Sequence, residues 1–149
     1  MTIKERLNAD LKTAMIANDE VRRETIRSIR ARFIEAERKG TLHDLTDDEI
    51  TGILNAAVKR RKETIETLAS ANRPEMIARE KQELAIIMEY LPPQLDEAGV
   101  ASAVDAIIKG FGAIEPKDFG RVMGAAMKEM KGKADGSLVQ RIVKERLGS

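Results

Sequence analysis

The sequence has no cysteine and no tryptophan, a single histidine, a single tyrosine and three phenylalanines. Without cysteine, disulfides, thiolate nucleophiles and cysteine-ligated metals are excluded. A reducing, cytoplasmic setting is the expectation. Aromatics at 3% of the chain argue against holding single-stranded nucleic acid on stacked aromatic platforms. No run approaches the roughly 20 apolar residues needed to span a bilayer. The opening MTIKERLNADLK is charged from Lys4 onward and lacks the apolar core of a secretory signal. A soluble, intracellular protein without membrane association is expected. An excess of one charge sign is missing too, since 26 Lys and Arg face 25 Asp and Glu for a net +1. Binding to nucleic acid through bulk positive charge would need a more basic chain, so any such binding must rest on a local patch.

What is present is helical periodicity. Thr2 and Glu5 have capping-box spacing, and Ile3, Leu7, Leu11, Ala14 and Met15 follow at helical intervals to about Ala17. A second helix is predicted from about Asp19 to Lys39, closing at Gly40, with Ile26, Ile29, Phe33 and Ala36 on one face. Thr46 and Glu49 repeat the capping box and open a third helix to about Ser70. Arg73-Pro74 starts a fourth, which Pro92-Pro93 must end. Shorter helices are predicted over about 96–109, 116–130 and 137–147. No alternating β-branched run suggests a strand. The expected fold is all-α: a four-helix, bundle-like N-terminal domain over 1–91 and a small three-helix C-terminal domain over 92–149.

One charge falls where the period predicts core. Arg61 lies amid the stripe Ile50, Leu54, Ala57, Val58, Ile65 and Leu68, and Glu80 lies within the facing stripe Ile77, Leu84, Ile87, Met88 and Leu91. A short connection makes these helices antiparallel neighbours and brings positions 61 and 80 level. A partly buried Arg61–Glu80 salt bridge is therefore predicted, in preference to Arg61 lining a ligand cleft.

Other candidates carry structural explanations beside functional ones. Arg23, Arg27, Arg30 and Arg38 could track a phosphate backbone, but a solvated face with intrahelical pairs such as Glu24–Arg27 or Glu20–Arg23 accounts for them. Lys59-Arg60-Arg61-Lys62 is spread around its helix and forms no patch. His43, near Asp44, Asp47 and Asp48, is weak metal evidence because those aspartates suit helix capping. No metal, cofactor or catalytic residue is expected.

The tail carries more. Gly120 and Gly124 stand four apart inside the sixth helix, a costly placement that points to close approach by another helix or by a nucleic-acid backbone. In KGKADG, Gly132 can end one helix and Asp135 can cap the next, which leaves Lys131 and Lys133 unexplained. From Lys117 to Arg146 eight basic residues, Arg121 and Lys128 among them, face four acidic ones, a local excess of +4. Amides at a helix start flanked by lysines suit a phosphate.

The stretches LNADLKTAM (7–15), TIR (25–27), VKRRKETI (58–65), REKQEL with EYLPPQL (79–95) and GRVMGAAMKEMKGKADGSLV (120–139) resemble the YqeY family. That family's tail is shared with the B subunit of the aspartyl/glutamyl-tRNA amidotransferase (the GatB/YqeY domain). The resemblance covers essentially the whole chain, and YLPPQL and KGKADG are its most specific pieces. It implies a helical bundle followed by a three-helix tail that helps to hold tRNA. Carried over by residue, it implies Gly120, Gly124, Lys131, Gly132, Lys133, Asp135 and Gly136 as contacts. It also brings a label of carbon–nitrogen ligase activity with glutamine as amide donor. The residues give that label no chemistry, for there is no cysteine, no Ser–Ser–Lys amidase segment and no glycine-rich ATP loop. The expected function is non-catalytic association with tRNA or a tRNA-handling complex. The alternatives are a protein-interaction adaptor that binds no RNA, or an accessory subunit of such a ligase.

Overall fold

A computed structural model describes residues 1–39, 44–112 and 114–148. The described residues form seven α-helices and no strand: α1 (Ile3–Ile16), α2 (Glu20–Arg38), α3 (Asp47–Ser70), α4 (Pro74–Met88), α5 (Glu97–Phe111), α6 (Phe119–Met130) and α7 (Gly136–Leu147), with a single 3-10 turn, Pro116–Asp118, ahead of α6. The all-α class expected from periodicity is the class observed. The chain divides into two compact units, Met1–Leu91 and Pro92–Ser149.

Helix starts follow local chemistry. At α1 the Glu5 N–H donates to the Thr2 hydroxyl at 3.1 Å while the Glu5 carboxylate accepts from the Thr2 N–H at 2.8 Å. Thr46 and Glu49 repeat that exchange at α3, with 3.2 and 2.7 Å. Each box satisfies two amides that a helix start otherwise leaves without partners. Asp96 and Asp135 do the same more simply for α5 and α7.

Two helix ends share one device that the sequence reading did not detect. Thr13–Asp19 reads TAMIAND and Thr67–Arg73 reads TLASANR. Asn18 and Asn72 both sit at φ 54°, the left-handed conformation that asparagine tolerates better than most residues. The N–H one residue further on then reaches back to the last turn, Asp19 to the Ala14 carbonyl at 2.9 Å and Arg73 to the Leu68 carbonyl at 3.1 Å. Asparagine thus does at α1 and α3 what glycine usually does at a helix end. Gly40, expected to close α2, lies outside the described residues; α2 runs to Arg38 with Lys39 as its cap.

The first unit packs α3 against α4, α1 against α2, and α2 against α4. Its core holds Leu7, Ile26, Ile29, Leu54 and Ile87, each at most 2% exposed. Tyr90 belongs to it as well, a residue the sequence reading passed over. Met15, counted in the α1 stripe, is instead half exposed. The second unit closes α5, α6 and α7 around Val100, Val104, Val122, Ala126, Val139 and Val143, all fully buried. At roughly 1.5–3 kcal/mol per buried aliphatic side chain, each unit has a hydrophobic core of its own.

Candidate nucleic-acid interface

In the first unit several charges pair across helices, while Lys12, Arg27, Arg30, Lys59, Arg60, Lys62 and Lys81 are exposed without a carboxylate partner among the described residues. Arg61 Nη1 lies 3.4 Å from Glu80 Oε2 and 3.1 Å from Glu83 Oε2, with the three side chains about one-fifth exposed. Glu83 was not foreseen. It stands three residues after Glu80 and so shares the same helix face. Arg79 joins Glu83 at 3.2 Å and Glu24 at 3.3 Å. The intrahelical Glu24–Arg27 pair is thus replaced by one between α2 and α4: on a bundle, a carboxylate next to a neighbouring helix can find its cation there. Arg22 pairs with Glu89 and Asp19. The Tyr90 hydroxyl donates to the Asp10 carboxylate, and the Arg6 guanidinium stacks 5.0 Å from the Tyr90 ring centre. Burial, reinforced by the bond to Asp10, pushes the Tyr90 phenol well above its ordinary value.

His43 lies outside the described residues. Among those described, no group of three or more His, Asp or Glu is placed to hold a metal ion.

The second unit carries the other candidates. Gly120, Arg121, Gly124 and Lys128 recur along the exposed side of α6, opposite the buried Val122, Ala126 and Met130. A Cβ built at Gly120 or Gly124 meets nothing within 4 Å. A tail helix, one of the two explanations for these glycines, therefore does not pack on them, and the glycine face of α6 is bare.

Lys131 caps the end of α6, and Gly132 follows at φ 78°, where a side chain would be strained. The Lys133 N–H returns to the Met130 carbonyl at 2.9 Å. Asp135 caps α7 by accepting from the Ser137 N–H at 3.1 Å. Its carboxylate thus brings an anion of the protein's own to that terminus, in competition with a phosphate. Gly136 begins α7, and a Cβ there would make ordinary contact with Met127 at 3.5 Å.

The cations of this unit fall into two groups. Four arginines and lysines are held by carboxylates: Arg146 by Asp105 at 2.7 Å, Arg141 by Glu97 and Glu145 at 2.8 and 3.0 Å, Lys117 by Glu115 at 3.1 Å, and Arg121 by Asp118 at 3.5 Å. Asp105, Glu97 and Glu115 lie before the segment that carries the local +4, so folding cancels much of it. The whole unit holds nine basic and eight acidic residues. Lys128 and Lys133, by contrast, are exposed and have no carboxylate partner among the described residues. Lys131 lies between them in sequence and is exposed, with an interaction of its own. Lys109 and Lys144 are likewise exposed without a carboxylate partner among the described residues, but of the four only Lys128 and Lys133 flank the glycine face and the loop that follows it, as a lysine corner.

No helix among the described residues is long and apolar enough to cross a membrane. The model of the family described as Yqey-like protein matches residues 4–147. Among curated proteins, the chain is similar to the "altered inheritance of mitochondria protein 41, mitochondrial" of Pyrenophora tritici-repentis, 29% identical over 97% of this chain and 80% of that protein. Its namesake in Lachancea thermotolerans is 32% identical over 68% of this chain and 56% of its own length. A subunit of the glutamyl-tRNA(Gln) amidotransferase of Methanobrevibacter smithii is 33% identical over 68% of this chain but only 14% of its own. That alignment is longer than the second unit, so the likeness extends beyond the tail expected to carry it.

The mitochondrial names correct the cytoplasmic expectation: they point to mitochondria rather than to the general cytoplasm. The inference failed because lack of cysteine does not identify a compartment. Mitochondrial targeting sequences are moreover amphipathic and basic rather than apolar, so a search for an apolar leader is blind to them.

Proposed function

The chain belongs to the Yqey-like protein family, and from that premise we propose that its second unit binds tRNA by phosphate contacts at the lysine corner. The observation that carries this reading is the pair of exposed, unpartnered lysines Lys128 and Lys133 beside a helix face that two glycines leave bare. Lysine side chains supply the charge that a phosphate backbone requires. Missing Cβ atoms at Gly120 and Gly124 let a ribose-phosphate chain approach the α6 backbone closely. Arg121 flanks the same face, 3.5 Å from Asp118 and stacked 5.0 Å from the Phe111 ring centre.

The role is binding rather than catalysis. A glutamine-dependent amide transfer needs an activated nucleophile, and the chain offers neither a cysteine nor a Ser–Ser–Lys segment set in glycine-rich sequence. The relative named as part of a tRNA amidotransferase acts in a tRNA context, which supports tRNA as the polyanion, with the chemistry supplied by another chain.

Titration of the purified protein against tRNA at rising salt tests the reading. Binding that weakens with salt, and further with Lys128→Ala and Lys133→Ala, is expected. Each phosphate contact removed should flatten the log–log salt dependence by roughly one unit. Absence of binding at low salt would contradict the reading, and capture of a defined protein with no RNA would favour the adaptor.

A further inference from the structure

The two sequence stretches that carry the family resemblance most specifically, YLPPQL and KGKADG, are joined by hydrogen bonds. The Gln94 side-chain amide donates to the Gly132 carbonyl at 2.8 Å and to the Pro92 carbonyl at 2.7 Å. One residue on, the Leu95 N–H donates to the Lys133 carbonyl at 2.8 Å. Both Gln94 acceptors are carbonyl oxygens, so the amide nitrogen must face them, and its two hydrogens serve one acceptor each. Pro92 and Pro93 have no N–H, so Gln94 and Leu95 provide the donors with which the segment reaches the loop.

On the loop side, Gly132 is buried and left-handed. Lys133 is tied through both backbone groups, its N–H to Met130 and its carbonyl to Leu95. Its exposed side chain therefore grows from a fixed root. A lysine so rooted gives up only side-chain freedom on meeting a phosphate, whereas one on a loose loop gives up backbone freedom as well.

We propose that Gln94 is a positioning residue for the lysine corner: its amide clamps the Gly132–Lys133 backbone and so presents Lys133 to the phosphate it contacts. The assignment rests on the polyanion reading above. It adds a residue without charge, outside the basic segment, whose effect on binding passes through the loop.

Gln94→Met in the full chain tests it, since Met keeps the length and neutrality of Gln and removes the donor. Two readouts are taken: amide hydrogen exchange at Leu95, Lys133 and Ala134, and tRNA affinity across salt, with Lys133→Ala as reference. The expected result is exchange at Leu95 and Lys133 faster by roughly tenfold, with helix content unchanged. Affinity should weaken several-fold and the salt slope should flatten toward that of Lys133→Ala. Partial loss of fold would lower the active fraction and leave the slope of the surviving molecules unchanged, so the slope separates positioning from damage. Unchanged exchange overturns the clamp whatever the RNA does. Faster exchange with wild-type affinity and slope overturns the positioning role while Lys133→Ala still upholds the RNA reading. A wild-type chain that binds no tRNA overturns both.

Discussion

The first unit joins its most buried charges across helices, whereas the cross-helix pairs of the second lie at its exposed rim. Between α3 and α4 the Arg61 guanidinium meets Glu80 and Glu83 with about one-fifth of each side chain exposed, and Arg79 extends the cluster to Glu24 on α2. The unit has as many acids as bases, 17 of each. In the second unit, pairs such as Arg146–Asp105 sit at the rim, 39% and 54% exposed, while Lys128 and Lys133 pair with nothing described. Half-buried charge must be matched, because an unmatched ion there loses its hydration without return. Exposed charge carries no such requirement, so an unmatched lysine is free to serve a ligand. Both units keep exposed cations, but only in the second do two of them, Lys128 and Lys133, stand beside a glycine-bared helix face.

The largest effect should come from breaking the first unit's buried pairing. Arg61→Ala leaves Glu80 without its cation and Glu83 with Arg79 alone, and should cost about 3 kcal/mol, toward the lower end of the range for buried pairs. Urea unfolding measures it, and Glu80→Gln in the same background should return part of the loss by removing the unpaired charge. A cost below about 0.5 kcal/mol would mean that the cluster is solvated like any surface pair. The contrasting change, Asp105→Asn in the second unit, should stay within about 0.5 kcal/mol because both partners are well exposed.

Next comes Tyr90. Its phenol is raised in the folded state, first by burial and then by the bond to Asp10. The unfolded chain therefore loses this proton near the ordinary tyrosine value of 10.0, while the folded chain keeps it. The resulting stability is complete below pH 10 and declines as pH rises beyond it. Tyr90→Phe should cost about 1.5 kcal/mol at neutral pH and remove this part of the alkaline decline. Since Tyr90 is the only tyrosine and tryptophan is absent, phenolate absorbance reads the titration directly. A native titration near 10 would contradict the burial.

The smallest effect is also the most diagnostic of the difference between units. Gly124→Ala adds a methyl group where nothing lies within 4 Å, so α6 should gain about 0.5–1 kcal/mol. The same methyl group stands on the face offered to RNA, so affinity should fall as stability rises. A gain in both would mean that the bare face is unused.

Local chemistry was legible in the sequence and long-range chemistry much less so. Thr2, Thr46, Asp96 and Asp135 announce helix starts because a cap and its amide lie within three residues of each other. Arg61 and Glu80 could be matched because a short hairpin fixes their register. Asp10 and Tyr90 lie 80 residues apart, and Gln94 and Gly132 lie 38 apart; no periodicity relates them. The +4 of the tail misled in part, since a count along the chain omits carboxylates that folding delivers from α5 and from ahead of α6. The asparagine helix ends were readable in principle, as the repeated Thr-x-x-x-Ala-Asn spacing shows.

The central claim is that the charge left over in the second unit serves a phosphate backbone. Its most direct test is the salt dependence of tRNA binding for the wild type and for the Lys128→Ala, Lys133→Ala double variant. The account predicts salt-sensitive binding whose log–log slope flattens by roughly two units in the variant. Equal slopes, or no binding at low salt, would contradict it.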